Sequence, residues 1–451
     1  MKNKVIVEAC ATYEPQSIHV ALSSFDCLFK QIIPGDTVVI KPNWIAERHK
    51  FKKEVWEPVI THPNVILGII RKVIQRLEGS GKIIIADGPV ENASFEALSR
   101  IYNFENWKNI GRKAGIEIEI LDLRKFMCIN ENDIIVDVID LPGDPQGDVD
   151  FDLKEASEFI GHSPSSKGYY GASYDSMETN AAHSNGKHLY RVSKSVISAD
   201  VFINVPKLKV HKKAGITCSL KNLVGINTYK NFLPHHNEGV PSIGGDQFPE
   251  SKMKNRLECL LLSYFKKIQI DGQKFSSVFV QVKKIGRLIF GKTTDTIRSG
   301  SWYGNDTLWR TILDLNKLVL YGDEHGDMKM VKFEKTKRYI SIVDGIVGGQ
   351  GNGPDAPDPF ESKIIIAGEN PVSVDCVCAK LMGFDYKKIP ALKNAFKINS
   401  YHYPLLNFDY NDIVIKSDSL SKFCNNLKSI DKRHCYQFTP HFGWKGFIEL
   451  E

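Results

Sequence analysis

The stretch Thr61–Ala86, THPNVILGIIRKVIQRLEGSGKIIIA, decides the fold class. Ile66, Ile69, Ile70, Val73, Ile74 and Leu77 recur at helical spacing, Thr61 can cap, and Pro63 suits a first turn. Gly79-Ser80-Gly81 stops the helix, and the apolar run that follows, Lys82–Ala86, reads as a buried strand. With a strand over Thr37–Lys41 before it, this is a βαβ unit, which implies a right-handed crossover between parallel neighbours. Outward from it, strands are expected at Lys4–Ala9, Ile116–Leu121 and Val201–Val205. A second block follows the same alternation. It has a helix over Asp306–Tyr321, strands at Tyr339–Val343 and Lys363–Ala367, and a helix over Pro371–Met382 that opens on proline and ends before Gly383.

The expected architecture is therefore α/β, with mixed, largely parallel sheets flanked by helices, in two lobes with a helical insertion. An N-terminal lobe spans 1–235 and includes a loop-rich region at 141–186, full of Gly, Pro, Ser, Tyr and Asp. Residues 236–300 form the insertion, with a basic amphipathic helix over Lys252–Ile270. Residues 301–451 complete the domain.

Apolar and charged fractions of 42% and 25% over 451 residues describe an ordinary globular chain. A net charge of +6 is too small over this length to argue for nucleic acid. No apolar run approaches bilayer length and no signal peptide is evident, which predicts a soluble, cytoplasmic protein without a membrane span. The nine cysteines are scattered and form no C-x-x-C, so neither a structural zinc nor an iron–sulfur cluster is expected. Cys376 and Cys378 lie on a helix at positions that face different ways, which favours packing over joint ligation.

The basic character is local. From Asn204 to Asn237 the chain carries Lys207, Lys209, His211, Lys212, Lys213, Lys221, His235 and His236 without one acidic residue. Cations and imidazoles at the exit of a core strand suit a small anionic ligand, since open α/β sheets bind ligands beyond the strand carboxyl ends. Lys41-Pro42-Asn43 ends an earlier strand in the same manner. His62 stands at a helix start, where free N–H groups favour an anion. Asp87 is a candidate metal or base carboxylate, with a turn as the competing explanation. Gly348–Pro354 carries spaced glycines after a strand, but its prolines cannot open the helix of a dinucleotide site, so a wide turn lining a pocket is expected there. Asp344 can point into that pocket.

Several motifs together resemble the domain-of-unknown-function family 362. They are IKPN (Ile40–Asn43), THP (Thr61–Pro63), ADG (Ala86–Gly88), INVPKLKVH (Ile203–His211), SLKNLVG (Ser219–Gly225), VDGIVGGQGNGP (Val343–Pro354) and NPVSVDCVCAKLMG (Asn370–Gly383). They run in order over about 37–383. Some family members carry ferredoxin motifs, from which this chain departs. The order His211, Lys221, His235 also looks like that of the nickel-pincer lactate racemase family. That likeness implies Lys221 as covalent anchor of a pyridinium-derived cofactor, His235 as nickel ligand and His211 as acid/base. The glycine-rich run which that family places before the lysine is missing.

The main expectation is an enzyme binding a small anionic metabolite, a carboxylate or phosphate. His211, Lys221 and His235 are its candidate catalytic groups. Lys41, Asn43, His62, Lys207, Lys209, Asn222, Asp344 and Gly349 are candidate ligand contacts, and Asp87 and His235 candidate metal ligands, for a divalent ion or a nickel-pincer-type cofactor. The alternatives are a metal-dependent or nickel-pincer racemase or isomerase, and a non-catalytic scaffold whose exposed lysines dock an acidic partner.

Overall fold

The computed structural model describes residues 2–131, 134–165, 168–173, 175–250, 296–397 and 403–451. Ten strands make one sheet. Its order is Val414–Lys416, Lys4–Ala9, Ala356–Gly368, Arg338–Asn352, Val201–Val205, Thr37–Pro42, Lys82–Asp87 and Glu117–Asp122. Lys207–His211 joins Arg338–Asn352 off this path and pairs with Gly215–Thr217. Lys4–Ala9 with Ala356–Gly368, Arg338–Asn352 with Ala356–Gly368, and Lys207–His211 with Gly215–Thr217 are antiparallel; the other pairs are parallel. The two expected lobes are joined through this shared sheet, because Lys4–Ala9 lies against Ala356–Gly368 and Val201–Val205 against Arg338–Asn352.

Strand periodicity explains why both faces are covered. Val38, Ile40, Ile83, Ile85, Val201, Ile203, Ile340 and Ile342 enter one core. The alternate residues Val39, Ile84, Ala86, Phe202, Tyr339 and Val343 enter the other. Successive side chains of a strand point to opposite faces, so an unbroken apolar run needs two covers. Helix Pro63–Leu77 covers the first face through Val65, Ile66, Ile69, Ile70, Val73 and Leu77. Helices Leu308–Tyr321 and Pro371–Met382 cover the second. No helix among the described residues is long and apolar enough to cross a membrane.

Three local expectations change. The cap of helix Pro63–Leu77 is His62, whose Nδ1 accepts from the Asn64 N–H at 3.1 Å, and not Thr61, whose hydroxyl instead donates to Val205 O. The region 141–186 is more regular than its composition suggested. Asp148–Asp152 pairs with Leu189–Ser193, burying Val149 and Phe151, while the interleaved aspartates masked the alternation. Helix Ser176–Ala182 starts from an Asp175 cap. The glycine-rich run is not a wide turn either. Arg338–Asn352 continues as strand, with Gly349 opposite Pro359 and Asn352 opposite Ala356. The helix expected over Lys252–Ile270 lies outside the described residues.

Candidate functional site

The parallel strands Thr37–Pro42, Lys82–Asp87 and Val201–Val205 end at one edge of the sheet, where the chemistry-bearing residues gather. Lys41 Nζ donates to Asp87 Oδ1 at 2.8 Å and to Pro42 O at 3.1 Å. The same Oδ1 accepts from Gly88 N–H, and Oδ2 accepts from Trp44 N–H at 2.7 Å. Both Asp87 oxygens are engaged and the residue is 3% exposed, so it serves as counter-ion to Lys41 and does not fit a metal-ligand role. A Cβ on Gly225 would lie 1.9 Å from Asp87 Oδ1 and 2.8 Å from Lys41 Nζ. Only glycine lets the chain pass this close to the ion pair.

Lys207 and Lys209 are likewise committed. Lys207 stands opposite Asp344 in the parallel register and donates to its Oδ2 at 2.5 Å, with neither side chain exposed. Tyr13 completes the group. Its hydroxyl donates to Asp344 Oδ1 at 3.0 Å and accepts from Lys207 Nζ and the Val347 N–H. Tyr13 stacks on the His62 ring at 3.7 Å, and the His62 N–H donates to Asp344. Burial lowers His62 to about 4, so its ring is neutral near pH 7. Lys209 directs its ammonium to three neutral acceptors, Asn43 Oδ1, Val59 O and Pro354 O. A side chain at Gly349 would press on Lys209 Cβ and Pro58 O. An amide relay runs onward, from Asn43 Nδ2 to Asn222 Oδ1 at 2.9 Å and from Asn222 Nδ2 to Asn204 Oδ1 at 2.7 Å.

This overturns one expectation. Lys41, Lys207 and Lys209 were to clamp an anion, yet all are 0% exposed; Lys207 and Lys209 each donate to three acceptors and Lys41 to Asp87 Oδ1 and Pro42 O. They build the floor of the site.

Above that floor, Lys221 is different. It stands at the end of the short helix Ser219–Asn222, is partly exposed, and makes no hydrogen bond or ion pair among the described residues. Burial lowers it to about 7, helped by the charges of Lys230 and Lys41 and opposed by Asp87. Lys230, which the sequence reading passed over, donates to Gly88 O at 2.9 Å and is lowered by burial to about 8. The signal that could have found it is the acid-free stretch Asn204–Asn237, to which it belongs.

The charge of Lys221 acts on both His211 and His235. Burial first, then the surrounding lysines, hold both imidazoles well below their usual range, so both are neutral at pH 7. Their tautomers differ. His211 Nδ1 accepts from the Lys213 and Ala214 N–H groups, which puts its proton on Nε2. His235 Nδ1 lies 2.9 Å from Leu233 O, a pure acceptor, so it carries the proton and Nε2 keeps a lone pair. One ring presents a donor and the other an acceptor.

Among the described residues the one group of three metal-competent side chains is Cys218, Asp375 and Cys378, whose ligating atoms lie within 4.8 Å of one another. It includes neither Asp87 nor His235. Asp375 accepts from Ser219 N–H at 2.7 Å and Leu220 N–H at 2.9 Å, so it fixes the start of the helix that carries Lys221. Cys376 stays outside the cluster, as the helical spacing requires. For a nickel-pincer cofactor, Lys221 and the Nε2 of His235, neither hydrogen-bonded among the described residues, fit as anchor and ligand. A separate open depression of about 820 Å³, lined by Lys2, Asn3, Phe333 and Asn411 among others, belongs to another part of the surface.

The family model described as domain of unknown function (DUF362) matches residues 38–143 and 136–380. No curated protein matches the chain. A crystal structure of a Thermotoga maritima protein from a structural genomics consortium resembles it at 11% identity with a TM-score of 0.32. The alignment covers 81% of this chain and 58% of that one, so the chain spans less than two thirds of that protein's length. None of these comparisons shows the nickel-pincer likeness.

Proposed function

We propose, from the premise that the chain belongs to the DUF362 family, that it is an enzyme binding a small anionic metabolite, a carboxylate or phosphate, at Lys221. His211, Lys230 and His235 complete the site. The observation that carries this reading is the lone ammonium of Lys221. The buried lysines around it are committed, whereas Lys221 faces partial exposure with no counter-ion among the described residues. Leaving a charge unpaired in a cationic setting costs stability, and an incoming anion supplies the missing partner. A cytoplasmic location belongs to the same reading, supported by the unpaired state of the eight described cysteines.

Titration calorimetry with pyruvate and with dihydroxyacetone phosphate tests it. The pyruvate carboxylate stays ionised from pH 6 to 9 while both imidazoles stay neutral. Its affinity is therefore expected to fall several-fold as pH rises through about 7 and Lys221 loses its proton. Absence of binding by both compounds at pH 6.5, or undiminished binding by Lys221→Met, would sink the proposal.

The second reading is a nickel-pincer racemase or isomerase, favoured by a His235 Nε2 and a Lys221 ammonium that carry no hydrogen bond among the described residues. Lys221 would hold the cofactor, which supplies the redox chemistry, and His235 its metal; His211 would serve the proton. Nickel content and intact mass of natively purified protein separate the two. An unmodified, nickel-free chain from cells able to make the cofactor excludes this second reading.

A further inference from the structure

We infer that the Lys221 amine forms an imine with the carbonyl carbon of an anionic oxo substrate, with His235 carrying protons and His211 donating a hydrogen bond to the carbonyl oxygen. The inference rests on the anion site proposed above and names the substrate class it takes: a 2-oxo acid or a phosphorylated ketone or aldehyde.

The placement of four groups supports it. Nζ of Lys221 has no hydrogen bond or ion pair among the described residues to break before attack, and a lysine freed of its proton near neutral pH is a competent nucleophile. The Nε2 lone pair of His235 can take a proton from the attacking nitrogen, because the ring is held in the Nδ1–H tautomer by Leu233 O. His211 presents its Nε2–H, fixed by the two backbone donors at Nδ1. A neutral imidazole is too weak an acid to lose that proton, so its part is to polarise the carbonyl and stabilise the developing oxyanion. Lys230, anchored at Gly88 O, keeps further N–H groups for the carboxylate or phosphate.

The step balances. The Nζ lone pair adds to the carbonyl carbon and the C=O π pair moves onto oxygen, which His211 steadies. His235 takes one proton from Nζ and returns it to that oxygen, giving a carbinolamine. It then moves the second Nζ proton to the hydroxyl, the C–O bond breaks, and water leaves as C=N forms. One amine and one carbonyl become one imine and one water, with nothing oxidised or reduced. The imine withdraws electrons from the neighbouring carbon, which suits bond making or breaking there.

Sodium cyanoborohydride trapping with pyruvate and with dihydroxyacetone phosphate, read by intact mass and peptide mapping, tests this on the full chain. One reduced adduct per chain is expected, on Lys221, with at least one of the two. It should vanish in Lys221→Met and persist in Lys212→Met. His235→Gln should slow its formation at least tenfold while leaving pyruvate affinity within twofold. The trapping rate should climb as pH rises through about 7, opposite to the affinity, since attack needs the neutral amine. Calorimetric binding without an adduct on Lys221 overturns the imine and leaves the anion site standing. Neither binding nor adduct overturns both. Adducts spread evenly over surface lysines, or a trapping rate that does not rise with pH, overturn the imine.

Discussion

Lys207→Met is expected to lower stability by about 3–5 kcal/mol, because it leaves the Asp344 carboxylate buried without its counter-ion. Neither side chain is exposed and the ammonium lies 2.5 Å from Oδ2. Tyr13 and the His62 N–H still donate to Asp344, but neutral donors only partly replace a cation in a site that water does not reach. Asp344→Asn should cost a comparable amount, since it strands the lysine in turn. The double variant Lys207→Met/Asp344→Asn should lose clearly less than the sum, because no unpaired charge remains. Urea denaturation of the four proteins measures the cycle. Single losses below about 1 kcal/mol would class this pair with exposed surface bridges and refute the buried-pair account.

The main sheet was legible because its strands are buried on both faces. Parallel strands covered on two sides need unbroken apolar runs, and Val38–Ile40, Ile83–Ala86 and Val201–Val205 supply them without competing signals. Helix Pro371–Met382 was legible at both ends, for its proline opens the first turn and Gly383 takes a left-handed φ of 88°. The continuation of Arg338–Asn352 was not. Glycine, Gln350 and Asn352 carry weak strand preference, and what keeps them extended is pairing with Ala356–Gly368.

The site shows the same divide. That lysines and histidines gather near Asn204–Asn237 follows from the missing acids. Which of them are free does not, because their partners come from far along the chain. Asp87 is 46 positions from Lys41, and Asp344 is 137 from Lys207. A local excess of positive charge thus proved to be mostly an internally neutralised or hydrogen-bonded frame. Only the tertiary pairing separates that frame from Lys221.

Lys221→Met should do the reverse of Lys207→Met: raise stability by roughly 1–3 kcal/mol while abolishing anion binding. In the native protein this ammonium has lost hydration without gaining a counter-ion among the described residues, and its pKa falls from the ordinary 10.5 to about 7. The unfolded chain binds that proton more tightly than the folded one, so the folded state carries a penalty. It is present in full below about pH 7 and shrinks as pH climbs towards 10.5, where the unfolded lysine also becomes neutral. Methionine keeps the alkyl stem and has no charge to desolvate, so its advantage should be largest at pH 6 and fade by pH 10. Partial exposure keeps the gain below what the full shift implies. Denaturation midpoints of wild type and variant at pH 6, 8 and 10 give the test, with pyruvate calorimetry beside them. A variant less stable than wild type at pH 6 would mean that Lys221 holds the fold together, and the case for a ligand-binding lysine would fall with it.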